Sequence, residues 1–287
     1  MNEEMVARRR FYAEEIQAVA NIKTEALVEA LASVERERFL PPGPWAIRSE
    51  ADFMASMRHT PDASARHVYH NVAIGIDPAR MLFNGGPGVV ASAIDALTLA
   101  PGDRVLHIGT GLGYYTALIA RCVGPTGRVL GVEVDPDLAT RASANLQEMK
   151  RVEMRHGDGS EPFAETFDAI LVNAGVTHPL SAWLDALSER GRMIVPITAT
   201  FGPVATIGKG LMLLLSATPD RQRLTVRPTG FVAIYSAVGL RSDTMNASIG
   251  QALSRMPFAP VKSLRRDEHD ADDTCWVHGP GVCLSLK

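Results

Sequence analysis

Cysteine is scarce, no apolar run is long, and neither sign of charge dominates. The three cysteines, Cys122, Cys275 and Cys283, are an odd number and too few for a disulfide framework. Reduced thiols in a cytoplasm are the expectation. The longest apolar run, Leu211–Leu215, falls far short of the roughly 20 residues that cross a bilayer, so no membrane partner is expected. The start is charged, with Glu3, Glu4 and Arg8-Arg9-Arg10, and lacks the apolar stretch of an export signal. Lysine plus arginine number 29 against 32 acids, a net charge of −3, which removes the electrostatic case for a nucleic-acid partner. Internal repeats and low-complexity segments are missing too.

What is present alternates. Residues 5–40 carry apolar side chains at three-to-four spacing (Ile16, Val19, Ala20, Leu27, Val28, Leu31), a helical period stopped by Pro41-Pro42-Gly43-Pro44. Residues 45–88 show no period and read as an irregular lid or substrate loop. A helix is expected over 89–99. Strands then fall at 104–108, 128–134, 152–155, 168–172, 192–197, 211–216 and 230–236, with helices near 114–122, 136–149 and 179–188. That alternation predicts an α/β fold, a doubly wound and mainly parallel seven-stranded sheet. The last two strands, joined without a helix, read as an antiparallel hairpin closing one edge. The organisation expected is 1–88 (N-terminal helix and substrate loop), 89–240 (core) and 241–287 (a small C-terminal addition). In the addition, Ala247–Met256 reads as a short helix, and Cys275–His278 with Val282–Leu286 as a hairpin.

The most informative stretch is 103–135. The strand ending at Ile108 runs into Gly109-Thr110-Gly111-Leu112-Gly113-Tyr114, then into an apolar-faced helix and a second strand ending in Glu133. Glycines let the backbone turn tightly and approach a ligand, and a helix start offers unpaired N–H groups and a positive dipole end. A dinucleotide fingerprint needs its third glycine at 114, where Tyr114 stands, so the spacing favours S-adenosylmethionine over NAD. Glu133, at a strand end, is suited to accept both ribose hydroxyl protons, with Val134 beside it. In His156-Gly157-Asp158-Gly159-Ser160, Asp158 is suited to an adenine amino group. Asn173 ends the 168–172 strand at the carboxyl edge, where open α/β sheets bind ligands. The cofactor set is thus His107, Gly109, Thr110, Gly111, Gly113, Tyr114, Glu133, Val134, Asp158, Gly159 and Asn173.

These segments resemble the protein-L-isoaspartate O-methyltransferase family. Ala32-Ser33-Val34-Glu35-Arg36-Glu37-Arg38-Phe39-Leu40-Pro41, Leu99–Leu106, His107–Tyr114, His156–Ser160, Phe167–Val172, Gly191–Pro196 and Phe231–Tyr235 follow in order. The resemblance implies a Rossmann-like class I methyltransferase that moves a methyl from S-adenosylmethionine to a carboxylate, with Gly109, Gly111, Glu133 and Asp158 in the cofactor roles. Two departures stand out. His107 replaces the family's usual acid, and Asn84-Gly85-Gly86-Pro87 replaces its Ile-Ser-Gln-Pro loop, so Gly85 lacks the hydroxyl that meets an isoaspartyl group.

The altered loop Asn84, Gly85 and Gly86 favours a different acceptor, a carboxylate on a small molecule or a modified peptide. True isoaspartyl methylation is the alternative, and a cofactor-binding module without turnover a second. Methyl transfer from a sulfonium is mainly a matter of alignment. Should a base be needed, Tyr69, His70, His67 and His178 are the candidates. His269, Cys275, His278 and Cys283 are zinc-type ligands, but their spacing fits no paired knuckle, and strand alternation would put Cys275 and His278 on opposite faces. No metal is expected.

Overall fold

The computed structural model describes residues 3–49, 57–201 and 206–287. Two helices open the chain, α1 (Glu3–Ala20) and α2 (Glu25–Ser33), burying Tyr12, Ala13, Ile16, Leu27 and Leu31. The stretch expected to be irregular is not. It holds four short strands, β1 (Ala46–Arg48), β2 (Arg58–His59), β3 (Ala73–Asp77) and β4 (Leu82–Phe83), in an antiparallel sheet ordered β2-β1-β3-β4. Strands of two to five residues are too short to display an alternation.

Their order comes from a buried cation remote in sequence. Arg36, fully buried, donates to the carbonyl oxygens of Val68 (2.7 Å), His70 (3.1 Å) and Val72 (2.9 Å) and to Asn84 Oδ1 (3.2 Å). Its guanidinium also lies 5.8 and 5.7 Å from the ring centroids of Tyr12 and Tyr114. Asn84 Oδ1 accepts in turn from the Ile74 N–H at 3.0 Å. One side chain thereby ties α1, the 68–72 segment and the loop after β4 together.

Helix α3 (Pro87–Ala96) leads into the main sheet: β5 (Arg104–Ile108), α4 (Tyr114–Val123), β6 (Arg128–Glu133), α5 (Pro136–Leu146), β7 (Val152–His156), β8 (Phe167–Val172), α6 (Ser181–Asp185), β9 (Leu187–Ala199), β10 (Ile207–Ser216) and β11 (Arg223–Tyr235). Strands β7, β6, β5, β8 and β9 are parallel neighbours in that order, and β10 and β11 add antiparallel. These are the seven strands the sequence implies. The helix expected over 179–188 shrinks to Ser181–Asp185 because β9 begins at Leu187.

The hairpin β10–β11 does not close the edge. After α7 (Asp243–Arg255), strands β12 (Ser263–Arg265), β13 (Cys275–Gly279) and β14 (Val282–Ser285) continue the same sheet as β11-β12-β14-β13, ten strands in all. The boundary drawn at 241 therefore cuts through one hydrogen-bonded layer. The three-residue β12, missed in the sequence, makes the join. Leu264, Val277 and Leu284 bury in the same apolar cluster as Leu213, Leu215 and Leu224.

Candidate active site

Strand β5 has β6 on one side and β8 on the other, so the chain reverses direction across the sheet at β5–β8. The crevice outside the carboxyl ends of such strands is where open sheets bind ligands. A cavity of about 430 Å³ opens there. Its floor is the glycine turn. Gly109, Gly111 and Gly113 have φ of +78°, +56° and +93°. At Gly113 a Cβ would stand 2.8 Å from Leu146 Cδ1, so glycine is required both by φ and by the closeness of α5. A Cβ on Gly111 would meet Ile76 Cδ1 at 3.7 Å, an ordinary contact, so glycine is required there by its φ rather than by lack of room. Helix α4 starts directly after Gly113 with no side-chain cap, leaving its first N–H groups toward the crevice.

Glu133 sits at the lip of β6, 6% exposed. Its Oε2 accepts from the Gly111 N–H (2.7 Å) and its Oε1 from the Asp135 N–H (3.1 Å). Burial pushes its carboxyl above the usual range, against the opposing pull of these amides. The carboxylate shapes the glycine turn and lines the cavity, as do Thr110, Tyr114, Val134 and Asn173. Thr110 Oγ1 is buried without a hydrogen-bond partner among the described residues. A cavity-facing glycine backbone, an orphaned hydroxyl and a buried strand-end acid suit S-adenosylmethionine, whose ribose would meet Glu133 and whose methionine end would meet the turn and α4.

Asn84, Gly85 and Gly86 line the same cavity. Gly85 has φ +77°, and its carbonyl accepts from Tyr115 Oη at 3.3 Å. A Cβ there would approach Val90 Cγ2 to 3.1 Å, so this loop shape belongs to glycine. Sequence reasoning missed the opposite wall, Phe231–Val238, and the two cations Arg48 and Arg80. Arg80 pairs with Asp135 at 2.7 Å. The adjacency of Phe231–Val238 rests on the parallel bridge Gly175↔Ser236, a long-range pairing that no local pattern announces.

Several candidates stand elsewhere. His107 is fully buried behind the turn, its Nδ1 2.9 Å from Thr116 Oγ1 under α4, and it does not line the cavity. Burial pushes its pKa down to about 3, so the ring is neutral. It supports the turn from beneath rather than meeting a ligand's amino group. The unfolded chain protonates near pH 6.5 and the folded one near 3, so the unfolded state binds more protons in between and stability is lost as pH falls through that window. Between pH 7 and 5 the wild type is expected to lose about 2 kcal/mol more than His107→Asn. Urea unfolding at the two pH values checks this, and equal losses would refute it.

Asp158 and Gly159 also lie outside the cavity lining. Asp158 Oδ1 accepts from the Ser160 N–H (2.9 Å) and Oγ–H (2.7 Å), which lower its pKa. Gly159 holds the Trp183 indole N–H through its carbonyl at 2.8 Å. None of the four candidate bases lines the cavity. The Tyr69 hydroxyl is spent on Glu37 and the Arg36 N–H, and burial raises its pKa. His70 is exposed. His67 pairs with Asp62 at 3.0 Å. His178 faces Thr177 Oγ1 at 3.0 Å, its pKa lowered by burial.

An open sheet switching direction at β5–β8, a glycine turn feeding an uncapped helix and an acid ending the next strand define a Rossmann-like, S-adenosylmethionine-dependent methyltransferase. The profile of the "Protein-L-isoaspartate(D-aspartate) O-methyltransferase (PCMT)" family matches residues 9–209, and the chain belongs to that family. Similar proteins include the protein-L-isoaspartate O-methyltransferase of Ignicoccus hospitalis, 31% identical over 67% of this chain and 83% of that one. The Methylorubrum extorquens protein of the same name is 33% identical over 78% and 87%. A solved protein-L-isoaspartate O-methyltransferase aligns with TM-score 0.62 at 23% identity, covering 85% of this chain and 68% of that one, which speaks for the fold. The chain is accordingly an O-methyltransferase using S-adenosylmethionine. No helix among the described residues is long and apolar enough to cross a membrane.

Proposed function

We propose that this enzyme methylates the free carboxylate of isoaspartyl residues in peptides or proteins. The observation that carries the reading is one cavity, about 430 Å³, shared by the glycine turn of the donor side and the Asn84–Gly86 loop, in a chain whose relatives bear the isoaspartyl name. That replaces the expectation of another acceptor drawn from the altered Asn84–Gly86 loop and the C-terminal addition. S-adenosylmethionine supplies a methyl on a sulfonium. A carboxylate is already ionised near neutrality and needs no base, which agrees with a cavity that none of the four candidate bases lines. The carboxylate oxygen forms the new C–O bond as the C–S bond breaks, giving a methyl ester and a thioether. Arg48 on β1 brings a cation to the carboxylate's cavity, and the loop and the β11 wall hold the acceptor in line. Three free thiols support a reducing compartment, the cytoplasm.

A second reading, a different carboxylate acceptor, is favoured by Gly85, whose φ and neighbours exclude a hydroxyl-bearing side chain in this loop shape. A radiomethyl assay decides. Base-labile methyl on an isoaspartyl peptide, exceeding its aspartyl twin by at least about tenfold (1.4 kcal/mol), is expected. Cofactor binding with no labelling of the isoaspartyl peptide would reject the first reading for the second.

A further inference from the structure

At the far edge of the ten-stranded sheet, away from the cavity, four side chains converge that the reaction does not use. His269, Cys275, His278 and Cys283 each offer one ligand atom, all within 4.8 Å of one another. The strand argument against this meeting fails because of a bulge. Cys275 pairs with Ser285 and His278 with Cys283, while the register slips between Cys275 and Val277. Ser285 and Cys283 lie two apart on β14 and share a face. The extra residue on β13 therefore brings Cys275 and His278 to that same face.

We propose that these four residues form a tetrahedral zinc site that staples the 266–274 loop to the β13–β14 hairpin. Zinc–ligand bonds of about 2.0–2.3 Å place neighbouring ligand atoms about 3.3–3.8 Å apart in a tetrahedron. His269 Nε2 and Cys275 Sγ already stand 3.7 Å apart, so closure asks for a contraction of about 1 Å in the widest pair. The histidine is oriented as metal-bound histidines are. Its Nδ1 lies 2.9 Å from the Asp267 carbonyl and 3.3 Å from Asp267 Oδ2, and Arg265 grips that carboxylate at 2.6 and 3.1 Å. This fixes the proton on Nδ1 and turns the Nε2 lone pair toward Cys275. The Asp272 N–H points at Cys275 Sγ at 3.4 Å, a donor suited to a thiolate. His278 Nδ1 is buried with no partner among the described residues, and Cys283 is 1% exposed. Two cysteines and two histidines make a closed structural site with no position left for substrate. Binding Zn²⁺ releases the two thiol protons, and two thiolates balance its charge.

The whole 287-residue chain, purified under reducing conditions from zinc-supplemented cells, is expected to carry about one equivalent of zinc by plasma mass spectrometry. Co²⁺ added after chelation is expected to give the visible bands of tetrahedral cobalt with thiolate charge transfer. Cys275→Ser and His269→Ala should each lose at least about tenfold in affinity. The cobalt spectrum of the wild type needs no variant and remains informative if a substitution unfolds the tail. A folded wild-type chain that binds neither Zn²⁺ nor Co²⁺ would overturn the site. So would metal retained by the Cys275→Ser/His278→Ala double variant.

Discussion

Arg36→Leu is expected to destabilise the protein by about 3–5 kcal/mol, among the largest losses a single substitution causes. The guanidinium satisfies three backbone carbonyls and the Asn84 side chain in a place water does not reach. Leucine fills part of the volume but leaves the Val68 and Val72 carbonyls without a donor among the described residues, while Asn84 Oδ1 keeps the Ile74 N–H and the His70 carbonyl the Val72 N–H; each buried unpaired group costs about 1–3 kcal/mol, less when neighbours relax together. Arg36→Lys should fall between, since an ammonium has three donors but not the planar fork that spans Val68, Val72 and Asn84. Because Asn84 is one of the four, acceptor KM should rise in the lysine variant while cofactor affinity holds. Urea unfolding and steady-state kinetics read the two effects. A loss under 1 kcal/mol in the leucine variant would show that the segment 68–84 is held by something else.

Glu133→Ala is expected to weaken S-adenosylmethionine binding roughly 10- to 150-fold, the range of about 1.5–3 kcal/mol for hydrogen bonds to a charged group. The carboxylate has two tasks. One lone pair on each oxygen holds an amide, of Gly111 or Asp135, and the rest face the cavity where ribose hydroxyls would sit. Glu133→Gln should be nearly as harmful, because its amide nitrogen can accept from neither N–H and would oppose one of them. Calorimetric titration checks this, with NAD as a control expected not to bind. An unchanged Kd in the alanine variant would move the ribose elsewhere.

The sequence was most legible where chemistry and chain order coincide. The 103–135 unit carries its turn, helix and acid within thirty-odd residues, and each lands where spacing put it. Legibility failed where the deciding partner is distant. Residues 45–88 looked structureless because their strands are two to five residues long and their organiser, Arg36, lies upstream. His107 stands two residues before the glycine turn, a position that in sequence reads as a ligand contact. The pleat instead aims it at Thr116 beneath α4. Asp158 is expected at the adenine by analogy of position; its Oδ1 accepts from the Ser160 N–H and Oγ–H. Against the tail cluster stand a spacing that fits no paired knuckle and strict strand alternation, and one bulged residue undoes the second. A bulge has no dependable single-sequence signature, so only the pairing itself could reveal it.

The continuation of the sheet through the tail also bears on how the molecule meets its own copies. Were the sheet to stop at β11, one flank would be a thirteen-residue strand, a ready template for another chain. Instead that flank ends in the five-residue β13, and the opposite one in the five-residue β7, where Glu153, Arg155 and His156 are exposed. The stretch of β11 beyond its pairing with β12 carries Pro228, which has no N–H to offer, and a register slip opposite Met212 and Leu213. Strand addition thus meets only short, charged or interrupted borders. The tail thus covers the Arg223–Thr225 end of β11, the outermost of the three long strands, while the Phe231–Tyr235 end of the same strand lines the cavity.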